Sequence, residues 1–139
     1  MWTNTQLAYL AGIIDGEGTF YISNGDHRHR ILVVNTDEIL IKWLQDNFGG
    51  LVYKRTSKAH PNWKMKYEWL ICKTDITILC EALLPFLICK KRQAEVMLKL
   101  RKTFYQRKRG AQRVPEELRE IRNQCKEEMT KLNHRSSLS

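Results

Sequence analysis

Long apolar runs are missing from this 139-residue chain: the apolar segment 7–14 falls far short of the roughly 20 residues that a membrane-crossing helix needs. No segment has the pattern of a secretory leader. The expected setting is therefore soluble and intracellular, without a membrane partner: the cytoplasm of a prokaryote, or an organelle or nucleus of a eukaryote. Cysteine is sparse. Cys72, Cys80, Cys89 and Cys125 show no Cys-x-x-Cys spacing, and each lies in an apolar-periodic stretch. That points to buried free thiols in a reducing compartment rather than zinc sites or disulfides. The histidines at 27, 29, 60 and 134 form neither a helical metal-ligand pair nor a His-Asn-His nuclease pattern, so none is assigned catalysis. Acidic residues are scarce toward the end of the chain. Residues 1–89 hold nine Lys/Arg and nine Asp/Glu, whereas residues 90–139 hold fifteen and six and carry the whole net charge of +9. Between Lys99 and Arg113 stand seven basic residues and no acid. Such a run is either a solvated face or the electrostatic footprint of a nucleic-acid binder.

A chain of 139 residues, 42% of them hydrophobic, supports one domain with an adequate core. Its elements read helix, two strands, helix, two strands, then helices to the end. Thr3-Asn4-Thr5-Gln6 has the form of a capping box and opens a helix near Thr5. Strands are expected over 19–24 and 28–35, joined by turn chemistry at Gly25-Asp26. Thr36 is expected to cap a second helix, with Asp37 and Glu38 in its first turn. Ile39, Leu40, Trp43, Leu44 and Phe48 form its expected buried face, and Gly49-Gly50 ends it. Residues 51–57 and 64–73 read as a second hairpin across the polar loop 58–63. Thr74-Asp75 opens a third helix bearing Ile76, Leu79, Cys80, Leu83 and Leu84, stopped by Pro85. A fourth runs from about Lys91 toward Gln106. Pro115, Glu116 and Glu117 open a fifth, striped by Leu118, Ile121, Cys125 and Leu132.

The first helix carries the most information. Leu7, Leu10, Ala11 and Ile14 follow i, i+3, i+4, i+7 spacing and make one apolar stripe. Ala8, Gly12 and Gly16 recur every fourth residue and make a second stripe with almost no side chain. Glycine inside a helix costs roughly 1 kcal/mol against alanine, so two of them need a reason. Close approach of another backbone supplies one. Glu17 then falls at the foot of that contact, where two such helices would bring two carboxylates together, an arrangement for holding metal ions. On helix physics alone, a core helix ending in a glycine turn with Glu17 on the surface is the simpler alternative.

The string Leu10-Ala11-Gly12-Ile13-Ile14-Asp15-Gly16-Glu17-Gly18 resembles the signature of the LAGLIDADG homing endonucleases. A second string, Pro85-Phe86-Leu87-Ile88-Cys89-Lys90-Lys91-Arg92-Gln93-Ala94, resembles the family's proline-ended third helix and the basic turn after it. The resemblance covers nearly the whole chain to residue 105 and implies an α+β fold in αββαββα order. Its four-stranded antiparallel sheet would form a DNA-binding saddle with helices on the other face. Residues 1–105 would be the endonuclease core, and residues 106–139 a basic C-terminal helical extension of the same domain, contacting flanking phosphates.

On the second strand Arg28 and Arg30 project together, followed on the same side by Leu32 and Val34. On the third, Lys54 alternates against Tyr53 and Arg55; on the fourth, Lys64 and Lys66 alternate against Met65, Tyr67 and Trp69. Which phase faces outward on these two strands is open. An ordinary solvated sheet face would also be polar. An antiparallel ribbon carrying Arg, Lys, Ser and Tyr can nevertheless enter a DNA major groove and read base edges. The candidate DNA contacts are Tyr21, Ser23, Arg28, Arg30, Lys54, Thr56, Lys64, Lys66 and Trp69.

The resemblance also implies a chemistry: metal-dependent hydrolysis of both strands of a long pseudo-palindromic duplex target, leaving short 3′ overhangs. It places Glu17 at the family's metal-ligating acid, with the Gly16 carbonyl as the neighbouring oxygen. Lys90 would polarise the attacking water or screen the phosphate, with Lys91 as its substitute. Asp37 would order active-site water. Mg²⁺ is the expected ion, Mn²⁺ an alternative, and Ca²⁺ is expected to bind without supporting cleavage. Where relatives can carry an arginine four residues beyond Asp37, this chain has Ile41, and Arg28, Arg30 or Lys42 are candidates to compensate. A single copy of the motif implies the homodimeric, intron-encoded type, with Ala8, Ala11, Gly12 and Asp15 at the dimer interface. Asp15 is alternatively a structural cap of the helix terminus. Two rivals remain: an RNA-binding intron maturase, with intron RNA as partner, and a non-catalytic DNA-binding regulator on the same fold.

Overall fold

The computed structural model describes residues 1–56, 64–105 and 113–138. Helix α1 (Asn4–Glu17) starts where the capping box puts it. Thr3 Oγ1 accepts the Gln6 N–H at 3.1 Å, and Gln6 Oε1 accepts the Thr3 N–H at 2.9 Å. Leu7, Leu10, Ala11 and Ile14 form its buried side, the stripe read from spacing. Strand β1 (Gly18–Ile22) follows without a loop. A side chain at Gly18 would put a Cβ 2.8 Å from the Ile14 Cα, so the sharp exit from the helix requires glycine there.

The chain continues through β2 (His29–Asn35), α2 (Glu38–Phe48), β3 (Leu51–Arg55), β4 (Lys66–Cys72), α3 (Thr74–Leu83), α4 (Lys91–Tyr105) and α5 (Glu116–Leu138). This is the α+β order read from the sequence, with strands shorter at their ends. Ser57 of the expected third strand, the polar loop 58–63 and Gln106 lie outside the described residues.

The sheet order is β1-β2-β4-β3, with every neighbour antiparallel, so the two hairpins join along β2 and β4. Register decides the two faces. Ile31 opposite Ile71 and Val33 opposite Trp69 point into the core; Leu32 opposite Leu70 and Val34 opposite Glu68 point away from it. Phe20, Ile22 and the inward residues of β2 and β4 pack beneath α1, α2 and α3 in one apolar cluster.

Three local expectations change. The N-cap of α2 is Asp37 rather than Thr36, its Oδ1 accepting the Ile39 N–H at 2.9 Å. Ile39 is 82% exposed rather than core-facing, because Ile41, Leu44 and Phe48 form the buried i, i+3, i+7 stripe and Ile39 lies off it. All four cysteines are free as expected, but Cys89 is exposed; burial pushes the Cys80 thiol up to about 12, which leaves it inert.

Helix α5 packs across α4 and β1. Its Asn133 donates to the Phe20 carbonyl at 2.8 Å, and its Glu128 pairs with Arg92 of α4. Among the described residues no helix is long and apolar enough to cross a membrane. Trp69 anchors the sheet from beneath, wholly buried with Nε1 donating to the Gly49 carbonyl at 2.7 Å. Replacing it by alanine should cost about 3–5 kcal/mol, read from urea unfolding midpoints at unchanged slope.

Candidate active site and nucleic-acid interface

Two carboxylates close α1, and the structure gives them different tasks. Asp15 turns toward the segment leading into α4. Its Oδ2 accepts the Ile88 N–H at 2.9 Å, and its Oδ1 accepts those of Cys89 at 3.1 Å and Lys90 at 2.9 Å. Lys90 stands at the head of α4, its carbonyl accepting the Ala94 N–H at 3.1 Å. A carboxylate beside these donors is favoured by the helix dipole. Asp15 is thus the structural cap among its two expected roles, and of a helix other than its own. Both of its oxygens are engaged within the chain, while the side chain stays partly exposed. Ala11, expected at a dimer interface, is instead fully buried on the apolar stripe of its own chain. Ala8, Gly12 and Gly16 remain exposed on the outer side of α1. A Cβ at Gly12 or Gly16 would meet nothing within 4 Å.

Glu17 is exposed at the foot of α1, with Oε2 accepting from Asn35 Nδ2 at 2.8 Å. Asn35 Oδ1 in turn accepts the Asp37 N–H at 2.8 Å. Asn35 was not singled out from sequence; the β1–β2 register, with Gly18 opposite Val33, is what brings the end of β2 to the end of α1. Asp37 uses Oδ1 to cap α2, and its backbone N–H links it to Glu17 through Asn35. Lys90 does arrive at the site, its Nζ donating to the Gly18 carbonyl. Burial of this amine lowers its pKa below that of an exposed lysine, and the Asp15 carboxylate offsets part of the shift. Lys91 is exposed on the first turn of α4.

The outward face of the sheet is concave, enclosing about 890 Å³ lined by residues that include Tyr21, Ser23, Arg28, Arg30, Tyr53, Arg55 and Leu70. Arg28 pairs with Asp26 at 2.8 Å, and the Arg30 guanidinium lies 5.0 Å from the centre of the Tyr21 ring. Lys66 shares the outward phase, and Lys64 is exposed just before β4. The phase of β3, open from the sequence, is the one that excludes the candidate Lys54 from the outward face. Tyr53 and Arg55 face the concavity, whereas Lys54 pairs with Tyr67 on the inward phase. Thr56 lies exposed just past β3, and Trp69 is a core residue rather than a DNA contact. Tyr53, Arg55 and Glu68 were missed because alternation alone does not say which phase is covered by helices.

No family model and no curated protein sequence matches the chain. Solved structures do. The homing endonuclease I-CvuI, in complex with its target and 2 mM Ca, aligns with a TM-score of 0.70 at 22% identity, over 92% of this chain and 82% of that one. The same endonuclease with DNA in 2 mM Mg gives 0.61 at 22% identity, over 91% and 95%. The archaeal intron-encoded homing endonuclease I-Vdi141I bound to DNA gives 0.73 at 14% identity, over 96% and 94%. The LAGLIDADG meganuclease I-AabMI, bound to uncleaved DNA, gives 0.61 at 20% identity; there the match spans 84% of this chain and 43% of that one. The chain has the LAGLIDADG homing-endonuclease fold.

Within this fold, part of the basic C-terminal half is structural. Arg101 and Arg122 are buried, and the Arg122 guanidinium sits 3.8 Å above the Phe104 ring. Arg101 Nη1 lies 3.1 Å from His29 Nε2, and His29 Nδ1 lies 2.9 Å from the His27 carbonyl. A carbonyl only accepts and a guanidinium only donates, so His29 carries its proton on Nδ1 and is neutral. Burial, reinforced by the charges of Arg101 and Arg122, lowers its pKa and keeps it so.

The foot of α1 can be tested for a metal by its donor set. Among the described residues no group of three or more His, Cys, Asp and Glu is arranged to hold an ion. Mg²⁺ does not need one: it takes one or two carboxylates and keeps waters and substrate phosphate oxygens. An exposed carboxylate fixed by one hydrogen bond, beside a carbonyl of the last helical turn, fits such an open site.

Proposed function

We propose that this chain is a site-specific DNA endonuclease of the homing type, acting as a C2 homodimer. The observation that carries this reading is the junction of α1 and β1. There an exposed, oriented Glu17 closes α1, and the half-buried Lys90 amine donates to the carbonyl of the next residue, Gly18, at the end of a glycine-thinned helix face for which the chain itself has no use. The two-fold axis would run between the α1 helices of two subunits and bring two copies of Glu17 together. Glu17 and the Gly16 carbonyl would hold Mg²⁺, or Mn²⁺ in its place. When bound, the metal supplies charge stabilisation to the attacking and leaving oxygens of an in-line displacement.

The chain's own groups prepare this geometry. Asn35 fixes one carboxylate oxygen of Glu17, so the other rotamers are disfavoured before DNA arrives. Lys90, tethered to the Gly18 carbonyl, brings a positive charge to the scissile phosphate or polarises the attacking water. The concave face with Arg28, Arg30 and Arg55 lies along a long pseudo-palindromic duplex, each subunit cutting one strand to leave short 3′ overhangs.

The reading is tested by incubating purified protein with a supercoiled plasmid library and Mg²⁺ and sequencing the cleaved ends. Tight DNA binding without metal-dependent nicking at any site would instead favour the non-catalytic regulator. Preferential binding of folded intron RNA would favour the maturase. Within the endonuclease reading, Lys90→Met should lower single-turnover cleavage by about 10²–10³-fold, the scale of one preorganised transition-state donor. The sign of its pH dependence follows from burial. Because the folded-state pKa is lowered, the wild type should lose activity on its alkaline side below the ordinary lysine range. Lys90→Arg, which stays protonated, should move that limb upward.

A further inference from the structure

Of the arginines on the concave face, Arg55 has a partner unlike the others. Arg28 pairs with the exposed Asp26, and Arg30 stacks on the exposed Tyr21. Arg55 donates from Nε to Oε2 of Glu68 at 2.7 Å, and Glu68 is only 6% exposed. Glu68 lies on the outward phase of β4, an interior strand, with Val34 and Tyr53 as its cross-strand neighbours. A carboxylate there faces the phosphate backbone that the saddle would receive. Uncompensated, it would oppose binding through both its charge and its desolvation. A face built only to hold phosphates would have no use for it.

The geometry of the guanidinium supplies the use. Its five donors form a rigid planar fork. Holding the Nε edge on Glu68 leaves the two terminal nitrogens as the leading edge of a side chain that is 65% exposed. That edge matches the O6 and N7 acceptors of guanine in the major groove. A phosphate can be met by a guanidinium in many orientations, whereas the paired O6 and N7 acceptors of guanine demand this one.

We infer that Arg55, aimed by the buried Glu68, reads one guanine in each half of the DNA target, with Glu68 as its positioning residue. This rests on the endonuclease reading above.

The full-length protein is incubated in Ca²⁺ with a pool of randomised duplexes, and the bound fraction is sequenced. The wild type should show a guanine preference at two symmetry-related positions that Arg55→Lys removes. Lysine keeps the charge but lacks the fork, so a loss of about 10-fold or more should be confined to those positions with the salt slope unchanged. Glu68→Gln should relax the same positions while Arg55 remains in place. The inference is overturned if Arg55→Lys alters no base preference, or weakens binding equally across all sequences. It is overturned in part if Glu68→Gln lowers stability yet leaves the guanine preference intact, which would make Glu68 structural only. Absence of any DNA binding by the wild type would overturn the endonuclease reading itself. Should Glu68→Gln not fold, Arg55→Lys, at an exposed site, still decides.

Discussion

Glu17→Gln should bind target DNA as tightly as the wild type and cleave it more than ~10²-fold more slowly. The amide is isosteric with the carboxylate and can still meet Asn35, so neither the fold nor the concave face changes. What is lost is the negative oxygen that would hold a divalent cation. Groups one shell removed from a metal are worth about 10–100-fold, and a direct ligand should exceed that. Because each subunit would contribute one copy, the substitution removes both at once. Gel-shift affinity in Ca²⁺ alongside single-turnover cleavage in Mg²⁺ separates the two quantities. Retained cleavage would remove Glu17 from the chemistry, and lost binding would mean the residue positions DNA instead.

Gly12→Leu should leave the chain folded, make it monomeric and abolish cleavage. Position 12 is exposed in the single chain, and a Cβ there meets nothing within 4 Å. Nothing inside the subunit therefore resists a larger side chain. Considered as a lone helix surface, the site should gain from losing glycine, since alanine is better by about 1 kcal/mol. The milder Gly12→Ala then gives opposite signs for the two readings. If α1 faces only water, stability rises and nothing else changes. If two α1 helices approach backbone to backbone, each added methyl enters the seam twice, and the dimer weakens although each subunit is more stable. Sedimentation of both variants, with and without DNA, together with urea unfolding, distinguishes the cases. A wild type that stays monomeric on its DNA would defeat the assembly outright.

Much of this chain was legible without coordinates because its signals are local. The capping box at Thr3 and Gln6, the stripe Leu7, Leu10, Ala11 and Ile14, and the order of strands and helices depend on spacing within one or two turns of chain. So did two candidate residues at the α1–β1 junction, since Glu17 and Lys90, whose amine donates to the Gly18 carbonyl, lie in strings with a recognisable wording. The phase of β3 was not legible. Tyr53 and Arg55 alternate with Lys54 in a way that suits either face, and only pairing to β4, whose Trp69 is locked beneath the sheet by Gly49, settles which side is out. The tasks of Asp15 and Asp37 were not legible for a related reason. Each is a plausible acid near a plausible site, and each is occupied by backbone donors: Asp15 by those of residues far along the chain, Asp37 by the first turn of α2. Arg101 and Arg122 belong to the basic C-terminal half by composition, yet an aromatic ring and a hairpin histidine draw them into the body.

By itself, the order of residues determined which segments are helices and strands, the apolar side of α1, and that glycines at 12 and 16 need an external reason. Hydrophobic periodicity and capping are properties of short stretches, so no long-range information is needed to read them. The tertiary structure alone decided which carboxylate stays exposed, which strand phase faces the concavity, and that Asn35 meets Glu17 and Glu68 meets Arg55. Those outcomes turn on competition for hydrogen-bond partners between elements distant in sequence, and such partners are assigned only when the chain has closed.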